Sequence, residues 1–214
     1  MSLLGFQRAL ADLAASPELC SRAISHPAPA FLPYDLTSRE ESRLAAMVRD
    51  RLMGTNCVLY RVNRVTPIYV FFPMTCQVLG GDLRRELDAF WSVHRATDLQ
   101  YLPETSRFVR FLKNRLHAGA LRNEFVEEIV DYEAAATELR FAKRTDSLVR
   151  HIRFSHDPAQ LLDLLSKSND FPPSLPRGEY WVTLVAKGEE LEVRVTQAES
   201  GSRHNLRCIH GQKE

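Results

Sequence analysis

The 214 residues carry 28 Lys+Arg against 27 Asp+Glu, a formal net charge of +1, with 44% hydrophobic and 26% charged residues. This is the composition of an ordinary soluble globular protein, long enough for one large domain or for a domain of about 140 residues plus a small one. A balance so near neutral excludes a chain-wide electrostatic pull toward nucleic acid or anionic membrane; only local basic stripes remain open.

Leu3, Phe6, Leu10 and Leu13 recur at helical spacing and predict a first helix. Ser16-Pro17 reads as an N-cap with proline at the first helical position, opening a short helix that holds Leu19. The stretch from Pro27 through Pro29 to Pro33 predicts an extended connection. Thr37-x-x-Glu40 is a capping-box pattern, and the helix it opens places Leu44, Met47, Val48 and Leu52 on one face. A further helix is expected over Cys57–Val65, and Pro67 is expected to start the next, which the Gly80-Gly81 pair stops. Leu83, Leu87, Phe90 and Trp91 mark another helix, and Pro103 opens one carrying Phe108, Phe111, Leu112 and Leu116. Asn123 is the expected N-cap of a last helix running to Phe141.

Beyond that the period drops from about 3.6 to two. Tyr180–Val185, Leu191–Thr196 and Arg203–Ile209 alternate around the turns Lys187-Gly188-Glu189 and Gly201-Ser202, and predict a β-meander. Ile152 and Phe154 suggest one more strand, and Pro158–Leu165 a short helix. The expected fold class is α+β: an all-α N-terminal domain over residues 1–145, then a small α+β module over residues 146–214. A module of that size buries little core alone and should pack on the helices or on a partner.

Candidate chemistry is sparse. Arg8 and Asp12 interrupt the apolar opening, so no targeting segment is expected and the chain reads as cytoplasmic. The longest apolar run, Thr66–Met74, falls well short of the ~18 residues of a membrane helix, so no membrane association is expected. Cys20, Cys57, Cys76 and Cys208 form no CxxC pair and read as reduced, and the histidines show no HxxxH or HExxH spacing. No metal site, catalytic residue or cofactor of its own is expected in this chain. No phosphate loop or nucleophile elbow occurs. The acid-rich helix with Glu124, Glu127, Glu128, Asp131, Glu133 and Glu138 has no Glu-x-x-His pair and reads as a solvated face. Lys113, Arg115, Arg140, Lys143, Arg144, Arg150 and Arg153 form either a phosphate-binding stripe or surface charge interleaved with acids.

The meander is the more informative feature, because an exposed sheet edge is a template for adding a peptide strand. The candidate peptide-binding residues are Leu191, Glu192, Val193, Arg194, Val195 and Leu206, on Leu191–Thr196 or on Arg203–Cys208. The residues do not choose between those strands. Helix Pro158–Leu165 is expected to help form the groove. Glu190, Glu192 and Arg194 serve equally as charges that blunt an edge.

Several stretches resemble the HvfC/BufC-like partner proteins of multinuclear non-haem iron-dependent oxidative enzymes. They are Arg51–Val65 with Thr66-Pro67, Phe72-Pro73 and Leu79-Gly80-Gly81; Phe111-Leu112; Phe125-Val126 through Ile129-Val130-Asp131-Tyr132-Glu133; and Val149-Arg150-His151, Phe154, Asp157-Pro158, Leu161, Tyr180-Trp181 and Leu184-Val185. The resemblance runs in order from about residue 38 to residue 197 and rests on pattern rather than on a rare motif. It implies a non-catalytic subunit that forms a heterodimer with a TIM-barrel iron oxidase and presents the cysteine of a ribosomally made precursor or carrier peptide. The iron belongs to that partner, and the C-terminal module is implied to be the peptide-recognition element. A DNA-binding label also attached to the family makes a DNA-binding regulator the rival reading. The absence of a strongly basic N-terminal part weighs against it, so no nucleic acid is expected among the partners.

Overall fold

The computed structural model describes residues 3–94, 101–142, 148–167, 175–187, 190–198 and 203–206. Ten α-helices precede and flank a four-stranded sheet among these residues, an α+β layout with an N-terminal helical region. The chain groups into two compact units, Met1–Pro67 with Leu87–Glu104 and Ile68–Glu86 with Thr105–Glu214.

The first unit is helical. Helices α1 (Leu3–Ala15), α2 (Pro17–Ser25), α3 (Pro27–Phe31) and α4 (Ser38–Arg49) bury Ala9, Leu13, Leu19, Ala23, Phe31, Leu44 and Val48 in one core. Ser16 caps α2 as its sequence implies, its hydroxyl accepting from Leu19 N at 3.1 Å. At the head of α4 the Thr37 hydroxyl accepts from Glu40 N while the Glu40 carboxylate accepts from Thr37 N, so both halves of the capping box form. The proline-rich connection is not extended. Pro27 and Pro29 fall in the first turn of α3, where no N–H is required, and Phe31 is buried. Met47 is partly exposed, and Leu52 belongs to the next helix and is exposed, so the expected single face of four residues is only Leu44 and Val48.

Helix α5 (Arg51–Phe71) is continuous through Pro67, where a break was expected. Met53, Cys57, Arg64 and Ile68 are buried at helical spacing across the proline, so packing continues where the local signal would stop. The break falls instead at Phe72, held out of helical geometry (φ −130°) ahead of Pro73, which opens α6 (Pro73–Leu79). Gly80 ends α6 at φ +49°, a conformation that glycine adopts at little cost. Helices α7 (Leu83–Val93) and α8 (Tyr101–His117) follow as their spacing predicts. Within the first unit Arg64 and Glu104, both almost fully buried, pair at 2.7 Å, and the Arg64 guanidinium lies over the rings of Tyr60, Phe90 and Trp91.

In the second unit α9 (Val126–Phe141) is central, packing on α6 and on three strands of the sheet. It starts three residues later than Asn123, whose side chain instead accepts from Phe125 N and donates to the Val78 carbonyl. The strands β1 (Val149–His156), β2 (Arg177–Lys187), β3 (Glu190–Gln197) and β4 (Arg203–Leu206) form an antiparallel meander in chain order. Ile152, Phe154, Val182, Leu184, Val193 and Val195 are buried on its inner face, and α10 (Pro158–Lys167) packs on α6 through the same unit.

Candidate functional site

The alternation of the β1–β2 ladder decides which main-chain groups of β1 face outward. Ala186 N donates to the Leu148 carbonyl, and the register pairs Arg150 with Leu184, Ile152 with Val182 and Phe154 with Tyr180. The intervening residues His151, Arg153 and Ser155 therefore turn their N–H and C=O groups away from β2. Among the described residues no strand pairs with that outer edge. The register shifts between Phe154 and His156, where Gly178 and Glu179 of β2 stand opposite the single Ser155, so the bulge lies on β2.

A groove of about 630 Å³ runs along this edge, with α9 as its other wall. Glu127, Asp131, Ala134 and Glu138 line it at the spacing of one helical stripe. Ala134 and Ala135 lie between the acids and leave space beside Ile152. On the strand side the lining runs from Arg150 to Ser155, which at about 3.3 Å per residue is room for an extended segment of roughly six residues.

Charge in the groove is mostly paired. Arg150 binds Glu138 through two nitrogens, at 3.0 and 2.5 Å, and holds its carboxyl below the usual carboxylate range. Lys113 pairs with Asp131, and Arg153 with Glu179 at 3.2 Å. Arg115, the remaining described member of the basic stripe with an acidic partner, grips the buried Glu86 at 2.9 and 3.0 Å. The described part of that stripe is thus largely interleaved charge. Lys143 and Arg144 lie outside the described residues.

Two acids of α9 are not on a solvated face as expected. Glu128 and Glu133 are buried. Glu128 Oε1 accepts from Ser155 N at 2.6 Å and from the Ser155 hydroxyl, and His156 Nδ1 lies 3.4 Å away. His156 itself is buried against the Phe125 ring, with Glu124 Oε2 3.5 Å from its Nε2. Ser155 Oγ also lies 3.3 Å from His156 Nδ1, but its hydroxyl donates to the Glu128 carboxylate and each imidazole nitrogen faces an acid, which is not the order of a hydrolytic triad. Glu133 accepts from Met74 N and Thr75 N, both at 2.8 Å, capping α6 from outside it. Burial pushes its carboxyl up to about 7 against those hydrogen bonds.

Of the two strands expected to bind a peptide, the second is in its described part β4, the other edge of the sheet, and the first is β3. Strand β3 is an inner strand, paired with β2 throughout and with β4 from Val193 to Thr196. Val193 and Val195 are buried, while Glu192 and Arg194 pair with each other at 2.7 Å on the opposite face. Leu191 is half-buried, and Leu206 stands opposite Val193 in the register. Cys208, at the end of the second candidate strand, lies outside the described residues. The helical wall of the β1 groove is α9, and the helix expected over Pro158–Leu165 packs on α6. The β1 edge was missed because a strand read only from Ile152 and Phe154 shows its inner face and not its place in the sheet.

Among the described residues no group of three or more His, Cys, Asp or Glu side chains is arranged to hold a metal ion, and no helix is long and apolar enough to cross a membrane. The fold and groove together define an α+β protein with a helix-walled, open sheet edge. Compared with models of known protein families, with curated sequences and with solved structures, the chain matches none.

Proposed function

We propose that this chain is a non-catalytic partner subunit that binds a ribosomally made precursor peptide by strand addition and presents its cysteine to a multinuclear non-haem iron oxidase. The observation that carries the reading is the groove along the outer edge of β1, where outward main-chain groups face a helical wall across space for a short extended segment. The resemblance to HvfC/BufC-like proteins supplies the class of peptide and of enzyme. The iron is the partner's, and this chain's residues hold and orient the substrate. Within that family the chain is similar to TglI, a subunit acting with TglH on the C-terminal cysteine of a carrier peptide in 3-thiaglutamate biosynthesis.

A partner also needs a docking surface, and α5 offers one in the first unit. Leu52, Val58, Leu59 and Val62 are 48–68% exposed, and the one charged side chain from 52 to 63, Arg61, is paired with Glu18 and Asp88. Depletion of charge around exposed apolar residues is the composition of an interface core.

Co-expression of the full chain with the iron oxidase encoded beside it, followed by size-exclusion chromatography, tests the proposal. A one-to-one complex that binds the neighbouring precursor peptide in fluorescence anisotropy is expected. A chain that elutes as a lone monomer at micromolar concentration and leaves the peptide free overturns it.

A further inference from the structure

We propose that the β1 groove selects a peptide carrying a lysine or arginine whose cationic group sits at the Glu127–Glu128 end, beside Ser155. This rests on the reading of the groove as a peptide site and adds the chemistry by which that site chooses its ligand.

The charge in the groove is not evenly satisfied. At one end Glu138 is held by the Arg150 guanidinium, and along the wall Asp131 is held by Lys113. At the other end the partner of Glu127 among the described residues is His117, 3.8 Å away, between two largely exposed side chains. Beside it Glu128 spends Oε1 on the Ser155 N–H and hydroxyl, while Oε2 is buried with no hydrogen-bond partner. Its side chain is only 9% exposed. A buried carboxylate oxygen without a donor is an unmet demand, and an ammonium or guanidinium is the ligand group that meets it most strongly.

The same asymmetry fixes polarity along the groove. A basic residue placed at the Arg150 end would meet a guanidinium that already commands its carboxylate. Placed beyond the peptide residue that pairs with Arg153, it meets Glu127 and Glu128 together. The main-chain bonds to His151 and Arg153 then supply affinity that is blind to sequence, and the two acids supply the choice.

The test uses a displayed library of random decapeptides panned against the full-length chain. Recovered peptides are expected to share a lysine or arginine at one aligned position and to lose about tenfold in affinity when it becomes alanine. Glu127→Gln, at an exposed position, is expected to lower their affinity by a similar factor with the circular dichroism unchanged, and Glu128→Gln to do so where it folds. Hydrogen exchange is expected to slow at the amides of His151 and Arg153 when peptide binds. Peptides that protect those amides yet show no basic preference, with Glu127→Gln binding them as well as the wild type, overturn the charge selection and leave the peptide site standing. A panning that recovers nothing, with no protection at β1, removes the peptide reading itself and this inference with it.

Discussion

The main-chain N–H of Ser155 donates to Glu128 Oε1 at 2.6 Å, so a side chain of α9 takes up one of the outward hydrogen-bonding groups of β1. An open sheet edge invites pairing with any extended chain, and proteins close such edges selectively. Here the closure is local. It falls at Ser155, opposite the bulge of β2, and it leaves the outward groups of His151 and Arg153 as the part of the edge that faces the groove.

Glu128→Ala is therefore expected to cost stability and to loosen the end of β1. The part-buried bond from the Ser155 N–H is lost at an exposed residue that water can reach, a loss of about 0.5–1.5 kcal/mol. Urea unfolding checks the magnitude, and faster exchange of the Ser155 amide checks the cause. Ser155→Ala, which keeps the main-chain donor, is expected to cost less than Glu128→Ala. Equal costs for the two variants would show that the hydroxyl, not the N–H, is the contact that matters.

The Arg64–Glu104 pair sets a second expectation. Both side chains are at most 2% exposed and meet at 2.7 Å, so removing one partner strands the other charge in the core. Glu104→Ala is expected to destabilise by about 3–5 kcal/mol, much more than an exposed pair would. The double variant Arg64→Met with Glu104→Leu should recover most of that, because it removes both buried charges at similar volume. Thermal unfolding of the two variants beside the wild type decides it; a double variant as unstable as Glu104→Ala would assign the loss to packing.

Much of the secondary structure was legible because its signals are local. Ser16, Thr37 and Glu40 carry their caps wherever the rest of the chain goes. The alternation of Val193 and Val195 with Glu192 and Arg194 marks β3 whichever strand lies beside it. What was not legible depends on neighbours distant in sequence. Pro67 and Pro73 carry the same local signal, and only the burial of Arg64 and Ile68 explains why the helix passes the first and stops at the second. Glu128 and Glu133 look like their solvated neighbours until β1 and α6 are set against them. The edge position of β1 follows from strand order, a long-range property that period-two patterning does not encode.

Glu133 predicts a pH dependence with a definite sign. Its carboxyl titrates near 7 in the folded chain because burial outweighs the N–H groups of Met74 and Thr75, against an ordinary value near 4.5. The native state then holds a proton that the unfolded state has lost between those values. Its contribution to stability is full below about 4.5 and is lost as pH rises through about 7. At roughly 1.4 kcal/mol per unit, the whole effect is on the order of 3 kcal/mol. Glu133→Gln should lower stability through the lost acceptor and flatten the difference between pH 5 and pH 8. An unchanged difference in the urea midpoint between those pH values would remove Glu133 as its source.

The buried thiols lead to a kinetic expectation. Cys20 and Cys57 approach to 3.8 Å between sulfurs, and both reach the Leu13 carbonyl, at 3.1 and 3.4 Å. Burial, reinforced by the neighbouring Cys57, pushes the Cys20 thiol up to about 12, and burial beside Glu133 does the same to Cys76. The thiolate is the reactive form, so at pH 8 a shift from the ordinary value of about 8.5 lowers its population by a factor on the order of 1000. Variants retaining only Cys20 or only Cys76 are expected to react with an aromatic disulfide reagent at least about 100-fold more slowly when folded than in denaturant. Mild oxidation should likewise leave Cys20 as a thiol despite its proximity to Cys57, because burial disfavours the Cys20 thiolate. Rapid formation of a Cys20–Cys57 bond in the native protein would reverse this and make the pair a redox-sensitive link between α2 and α5.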